Sequence, residues 1–235
     1  MAMRDDEMKK NISKRTVAYL DILAFKFIQE KFSLEKIGEI FGNALSSADE
    51  AFKVDKVYNS KIGFCHRHIY SDAISIYSSD ESKESCLALI KYVQRIVQFF
   101  IVSQFPVRGA IVFGEAYIDE FRDIRVGVFT QAYELEQKQE WIGVAIDPSI
   151  KKQFPSLFKE NIIPEIIQYP VPFKNGITYF SYAINWIDSI DDTPVSSLEL
   201  FPGIFGDKIK NKYENTLKFI QNLKPLHVIK TEPTY

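Results

Sequence analysis

Two acidic residues stand where a carboxylate is hard to place without a partner. Asp21 closes the β-type run Thr16-Val-Ala-Tyr-Leu-Asp21, and Asp72 sits between Arg67-His-Ile-Tyr70 and Ala73-Ile-Ser-Ile-Tyr77. A carboxylate beside an apolar strand is costly to bury unless a cation compensates it. Two of them brought to one sheet edge repel unless they share a divalent metal. Hard cations such as Mg²⁺ take oxygen ligands, commonly one or two protein carboxylates together with substrate phosphates. The chemistry implied is phosphoryl or nucleotidyl transfer. Taken singly, each acid reads first as an ordinary turn or strand-end residue, since Asp is frequent in turns. The surrounding elements decide between the two.

Those elements begin with Thr16 to Leu23, a short and nearly continuous apolar run that reads as a buried strand. Leu34, Ile37, Ile40, Phe41, Ala44, Leu45 and Ala48 follow helical spacing, with Ser33 placed to cap the helix. Lys61 to Tyr77 alternates on either side of Ser71-Asp72 as a hairpin would. A second helix is expected through Leu87, Ile90, Val93, Ile96, Val97, Phe100 and Ile101, ending before Pro106. Val107 to Phe113 reads as the next strand, with Gly114 marking a tight turn. The order strand, helix, two strands, helix, strand predicts an α+β, ferredoxin-like (split βαβ) sheet with helices packed on it. In that topology Asp21 and Asp72, 51 positions apart, converge at one end of neighbouring strands. Beyond lie a hairpin return at Arg125 to Val128, a helix through Gln131 to Gln137 and a strand from Trp141 to Ile146. Further strands among prolines, one of them Ile177 to Ile184, and a helix from about Asp207 to Leu223 complete the reading. The expected organisation is a charged leader over 1–15 and one domain over 16–235, with a core to about 147 and a C-terminal extension from 148.

Among 235 residues, 46% are hydrophobic and 14% aromatic, enough to fill a core and inconsistent with disorder. Lys and Arg total 29 against 31 Asp and Glu, so the net charge of −2 offers nucleic acid no global attraction. Cys65 and Cys86 have neither metal-ligand spacing nor a disulfide framework. The N-terminal run lacks the apolar core of a signal peptide, and no run of about 18 apolar residues is evident. A cytoplasmic protein outside the membrane is expected. His66 and His68 lie two apart on one strand face, but without a nearby Cys or third His a zinc site is not expected.

Four pieces occur in a recognisable order: Leu20-Asp-Ile-Leu-Ala-Phe25, Tyr70-Ser-Asp-Ala-Ile74, Arg108-Gly-Ala-Ile-Val-Phe-Gly-Glu115 and Ala132-Tyr-Glu-Leu-Glu136. Together they resemble the class III nucleotide cyclase homology domain over roughly Val17 to Asp147. The closer likeness is to the pyrimidine nucleotide cyclases of bacterial Pycsar anti-phage systems, which carry a similar Arg-Gly-Ala strand and Ala-Tyr-x-Leu-Glu helix. The resemblance implies two divalent ions, Mg²⁺ or Mn²⁺, held by Asp21, Asp72 and the Ile22 carbonyl. It implies backbone N–H groups of Leu23, Ala24 and Phe25 facing phosphates, and a homodimer whose two sites form between protomers.

Departures from the family pattern bear on the site. Ala24 replaces a glycine, and His68 stands where purine cyclases carry a base-reading lysine. Thr130 falls at the position of the family's transition-state Asn and Glu134 at that of its Arg. A glutamate cannot stabilise departing negative charge. Arg108 is the leading substitute because a guanidinium forks well onto phosphate. Its structural alternative is a salt bridge to Glu115 or Glu134, and Lys26 and Arg125 are further candidates. The resemblance therefore implies a cyclase that makes 3′,5′-cyclic UMP, or cyclic CMP, from UTP or CTP for a separate defence effector. A catalytically degenerate nucleotide- or partner-binding domain, a purine cyclase and a palm-type polymerase or cyclic-oligonucleotide synthase are the alternatives.

Overall fold

The computed structural model describes residues 11–54, 65–159, 163–187 and 193–228. In chain order, β1 is Ile12–Ile22, α1 Phe25–Lys31, α2 Leu34–Val54, β2 His66–Tyr70, β3 Ala73–Tyr77 and α3 Lys83–Val102. Next come β4 Val107–Asp119, β5 Ile124–Gly127, α4 Val128–Lys138, β6 Gly143–Ile146 and α5 Pro148–Gln153. A 3-10 turn, Pro155–Phe158, leads to β7 Ile166–Pro172, β8 Thr178–Ile184, α6 Thr193–Leu198 and α7 Phe201–Phe205, and the turn Gly206–Ile209 enters α8 Lys210–Val228. Side-chain oxygens cap α2, as its sequence suggests, and α3. Ser33 Oγ accepts the Lys36 N–H at 3.2 Å, and Ser82 Oγ accepts that of Ser85 at 3.1 Å. β1 begins earlier than expected: Ile12 to Arg15 pair with Tyr117 to Gly114, so part of the supposed 1–15 leader is strand.

The strands lie in the order β2-β3-β1-β4-β6-β8-β7, with β5 paired to the far half of β4. Its first four members form the antiparallel ferredoxin-like arrangement expected from the sequence. β6 joins β4 in parallel, and the antiparallel pair β8-β7 extends the sheet beyond it. Pro170 and Pro172 sit in β7, an edge strand that needs no further ladder donors.

Each face of this sheet is covered. Leu20, Ile22, Ile74, Ile76 and Ile111 point into a large core with α2 and α3, while Val17, Ala110 and Val112 pack under Val128, Phe129, Ala132 and Leu135 of α4. Burial on both sides explains why the central strands read as continuous apolar runs. α3 is long and apolar enough to cross a membrane by length and composition, contrary to the sequence reading, but most of it is buried within this core.

Gly114 is not a turn. β4 runs through it, and a Cβ there would meet Val128 Cγ2 at 3.3 Å, so the missing side chain lets α4 approach the strand. The real turn is at Gly127, whose φ of +84° admits the chain from β5 into α4. The expected start of the β2 hairpin at Lys61 lies outside the described residues.

Candidate active site

Strand register brings the two acids to one end of the sheet. Asp21 pairs with Ala73 on one side and Arg108 on the other, and Arg108 pairs onward with Gly143. Asp72 immediately precedes Ala73 in the β2–β3 turn, and its carbonyl accepts the Ile22 N–H at 3.0 Å. That turn is held by Ser71 at φ +57°. Side chains alternate along strands, so Asp21, Tyr19 and Arg108 share the face covered by α4. Across the neighbouring rung, His68 pairs with Ser75 and Ser75 with Tyr19, which puts His68 on the same face.

Arg108 is committed within the fold. Only 3% exposed, it donates from Nε to Glu136 Oε1 at 2.5 Å and from Nη1 to the Gln139 carbonyl at 2.8 Å. Nη2 also lies 2.5 Å from Glu136 Oε1 but stays 4.0 Å from Asp21 Oδ2. The guanidinium offered to phosphate by the sequence therefore has a buried partner, and that partner is neither Glu115 nor Glu134. Gln139 in turn donates from Nε2 to the Gly109 carbonyl at 2.9 Å and accepts from Trp141 Nε1 at 2.7 Å, fixing the end of α4 on β4.

The charge balance leaves Asp21 under-compensated. Its carboxyl is pushed up to about 7, first by burial and then by the negative charges of Glu136 and Asp72, against the pull of Arg108 and Lys174. Burial likewise pushes the Glu136 carboxyl up, opposed by Arg108. Tyr19 is raised to about 12 by burial and by Asp21, and meets Tyr133 of α4 edge-on at 5.4 Å. Two oxygen-donor acids at one sheet end, one of them short of positive charge, fit a hard divalent cation. Among the described residues no group of three or more His, Cys, Asp or Glu is arranged for a metal ion, so substrate or backbone oxygens would complete any such site.

The other expected residues fall less close. The Ile22 and Leu23 N–H groups are already used, by the carbonyls of Asp72 and of Pro106 at 2.7 Å. Leu23 thus has no backbone donor left for phosphate, correcting that part of the expected cradle. Ala24 takes φ +57°, ψ 32° as α1 begins, a left-handed geometry that suits a glycine, and Phe25 is buried behind it. His68 Nε2 lies 3.6 Å from Asp123 Oδ2, and Arg125 pairs with the same Asp123 near the β4–β5 turn. Thr130 and Glu134 lie exposed on α4, and Lys26 is exposed on α1.

Two contributors were missed. Glu136 is the last residue of the quoted Ala-Tyr-x-Leu-Glu run, which was the only signal for it. Lys174 follows β7, its backbone N–H held by the Lys138 carbonyl at 2.8 Å, and reaches this charge cluster from the C-terminal extension. No local pattern marks it.

Among solved structures, the chain is similar to the catalytic core of a rhodopsin-guanylyl cyclase with converted specificity, determined in complex with ATPαS. That match has a TM-score of 0.51 and 12% identity, covering 74% of this chain and 96% of that one. It is also similar to the monomeric guanylyl cyclase domain of a rhodopsin fusion protein from the aquatic fungus Blastocladiella emersonii, with a TM-score of 0.52, 12% identity and coverage of 74% and 95%. The α+β mixed sheet with its packed helices is thus the fold of class III cyclase catalytic cores. No protein-family model and no curated protein matches the sequence.

Proposed function

We propose that this chain is a metal-dependent nucleotide cyclase that forms a 3′,5′-cyclic pyrimidine nucleotide and pyrophosphate, with UTP preferred to CTP. The observation that carries it is the meeting of Asp21 and Asp72 at one sheet end of a cyclase-type fold. In the reaction the ribose 3′-oxygen bonds to the α-phosphorus, the α–β bridging bond breaks, and the 3′-proton is lost as pyrophosphate departs. Two divalent ions held by Asp21, Asp72 and the Ile22 carbonyl would supply acidification of the 3′-hydroxyl and neutralisation of the leaving charge. Arg108 and Glu136 hold the strand end on which Asp21 sits, and Tyr19 and Tyr133 wall its face. His68, half-exposed on that face, is proposed as the contact to the base.

The exposed position of Thr130 suits contribution to a partner's site, and the active species is proposed as a homodimer. Its product would be a cytoplasmic second messenger for a separate anti-phage effector, as the pyrimidine-cyclase resemblance implies. One observation favours a second reading, a nucleotide-binding domain without turnover: the cation expected at Glu134 is missing and Arg108 is internally paired. Incubation with Mn²⁺ and each of the four triphosphates, with mass detection, separates them. One cyclic pyrimidine product, abolished by Asp21→Ala or Asp72→Ala, is expected. No product from any triphosphate favours the binding domain, and a cyclic purine would reassign the base.

A further inference from the structure

Cross-strand neighbours of opposite charge attract, and an Arg fork matches a carboxylate, frequently through two bonds. Arg108 and Asp21 are such neighbours, yet their nearest approach is 4.0 Å. What separates them is Glu136, a carboxylate with no exposed surface in the last turns of α4. Its Oε1 takes both Arg108 Nε and Nη2 at 2.5 Å, and its Oε2 accepts from Gln137 Nε2 at 2.8 Å. One N–H of Nη1 goes to the Gln139 carbonyl at 2.8 Å. A buried carboxylate near a helix C-terminus is disfavoured by desolvation and by the helix dipole alike. Its presence is explained if the charge it cancels would otherwise act elsewhere.

We infer that Glu136 is a positioning residue: by occupying the Arg108 guanidinium it keeps the Asp21 carboxylate open for a divalent cation. This rests on the reading of Asp21 as a metal-holding residue. Were Glu136 neutral, Arg108 would be released to close on Asp21 and compete with the ion for its oxygens. Removing Arg108 instead takes away the competitor, and the buried Glu136, without its partner, is left to take up a proton. The two substitutions therefore push metal affinity in opposite directions, whereas a mere brace between α4 and β4 would be weakened by both.

The test is a Mn²⁺ titration of the purified full chain, followed by the electron paramagnetic resonance signal of free Mn²⁺, with and without a non-hydrolysable UTP analogue. Thermal melts check folding, and Asp21→Asn serves as the control that loses binding. Glu136→Gln is expected to weaken Mn²⁺ binding by roughly ten- to a hundredfold, the range for partners that orient metal-holding residues. Arg108→Gln is expected to tighten it by at least a few fold, about what removing a nearby like charge does in a part-solvated site. If Glu136→Gln does not fold, Arg108→Gln carries the test by its sign. Unchanged binding in Glu136→Gln, or weakening in Arg108→Gln, overturns the positioning role while leaving the cyclase reading in place. No Mn²⁺ binding by the unaltered chain under either condition overturns both.

Discussion

Asp21 couples the site to pH. Its carboxyl titrates near 7 in the fold against an ordinary 3.8, so the native chain holds this proton more tightly than the unfolded chain does. Native stability from this group is therefore complete below about pH 4 and lost as pH rises through about 7. Glu136, also pushed up by burial, works in the same direction. In metal-free buffer, Asp21→Asn should reduce the fall in urea midpoint between pH 5 and pH 8; an unchanged fall would show that Asp21 is not the group responsible. The two acids were legible in the sequence because one closes an apolar strand and the other sits in the turn between two strands. Glu136 was not, because its importance depends on α4 lying across the Arg108 rung of β4, a relation between residues 28 positions apart that no local spacing encodes.

At the scale of elements, the β1–β4 ladder sets where everything sits. Gly109 follows Arg108 in this ladder, and a Cβ on it would meet Leu20 Cδ2 at 2.4 Å and the Tyr19 carbonyl oxygen at 2.7 Å. Backbone cannot yield as a flexible side-chain tip can. Gly109→Ala should cost about 2 kcal/mol or more of stability and displace the Asp21 rung, read as a lowered denaturation midpoint with weakened Mn²⁺ binding. A midpoint matching that of the unaltered chain would contradict the fit. Strong periodicity made α2, α3 and the β2–β3 hairpin readable. α1, only seven residues and entered without a side-chain cap, carried no such pattern. Gly114 was misread because a glycine that admits a neighbouring helix looks, in sequence, like one that permits a turn.

At the scale of the molecule, the C-terminal extension shares the main core and is no appendage. Trp141 packs on Phe219 of α8 at 5.1 Å, Trp186 on the same ring at 5.7 Å, and the Ile142 N–H donates to Thr216 Oγ1 at 2.8 Å. A chain ending at 147 would expose that aromatic cluster and should be recovered aggregated or without a cooperative melt; a soluble fragment with a sharp transition would show the extension to be dispensable. This dependence was hidden in the sequence because proline-punctuated strands look peripheral wherever they lie. The long ladder has one more consequence, for the order of events on the ribosome. Asp21 emerges before its cross-strand neighbours Ala73 and Arg108, which are translated more than fifty and more than eighty residues later. Contacts so distant along the chain form slowly, and until β4 arrives a nascent chain has only the β3 ladder on one side of the apolar strand of Asp21, with its other edge unpaired. The elongating polypeptide thus passes through a window in which chaperone shielding matters most, and that window closes only as α4 follows β4 out of the exit tunnel.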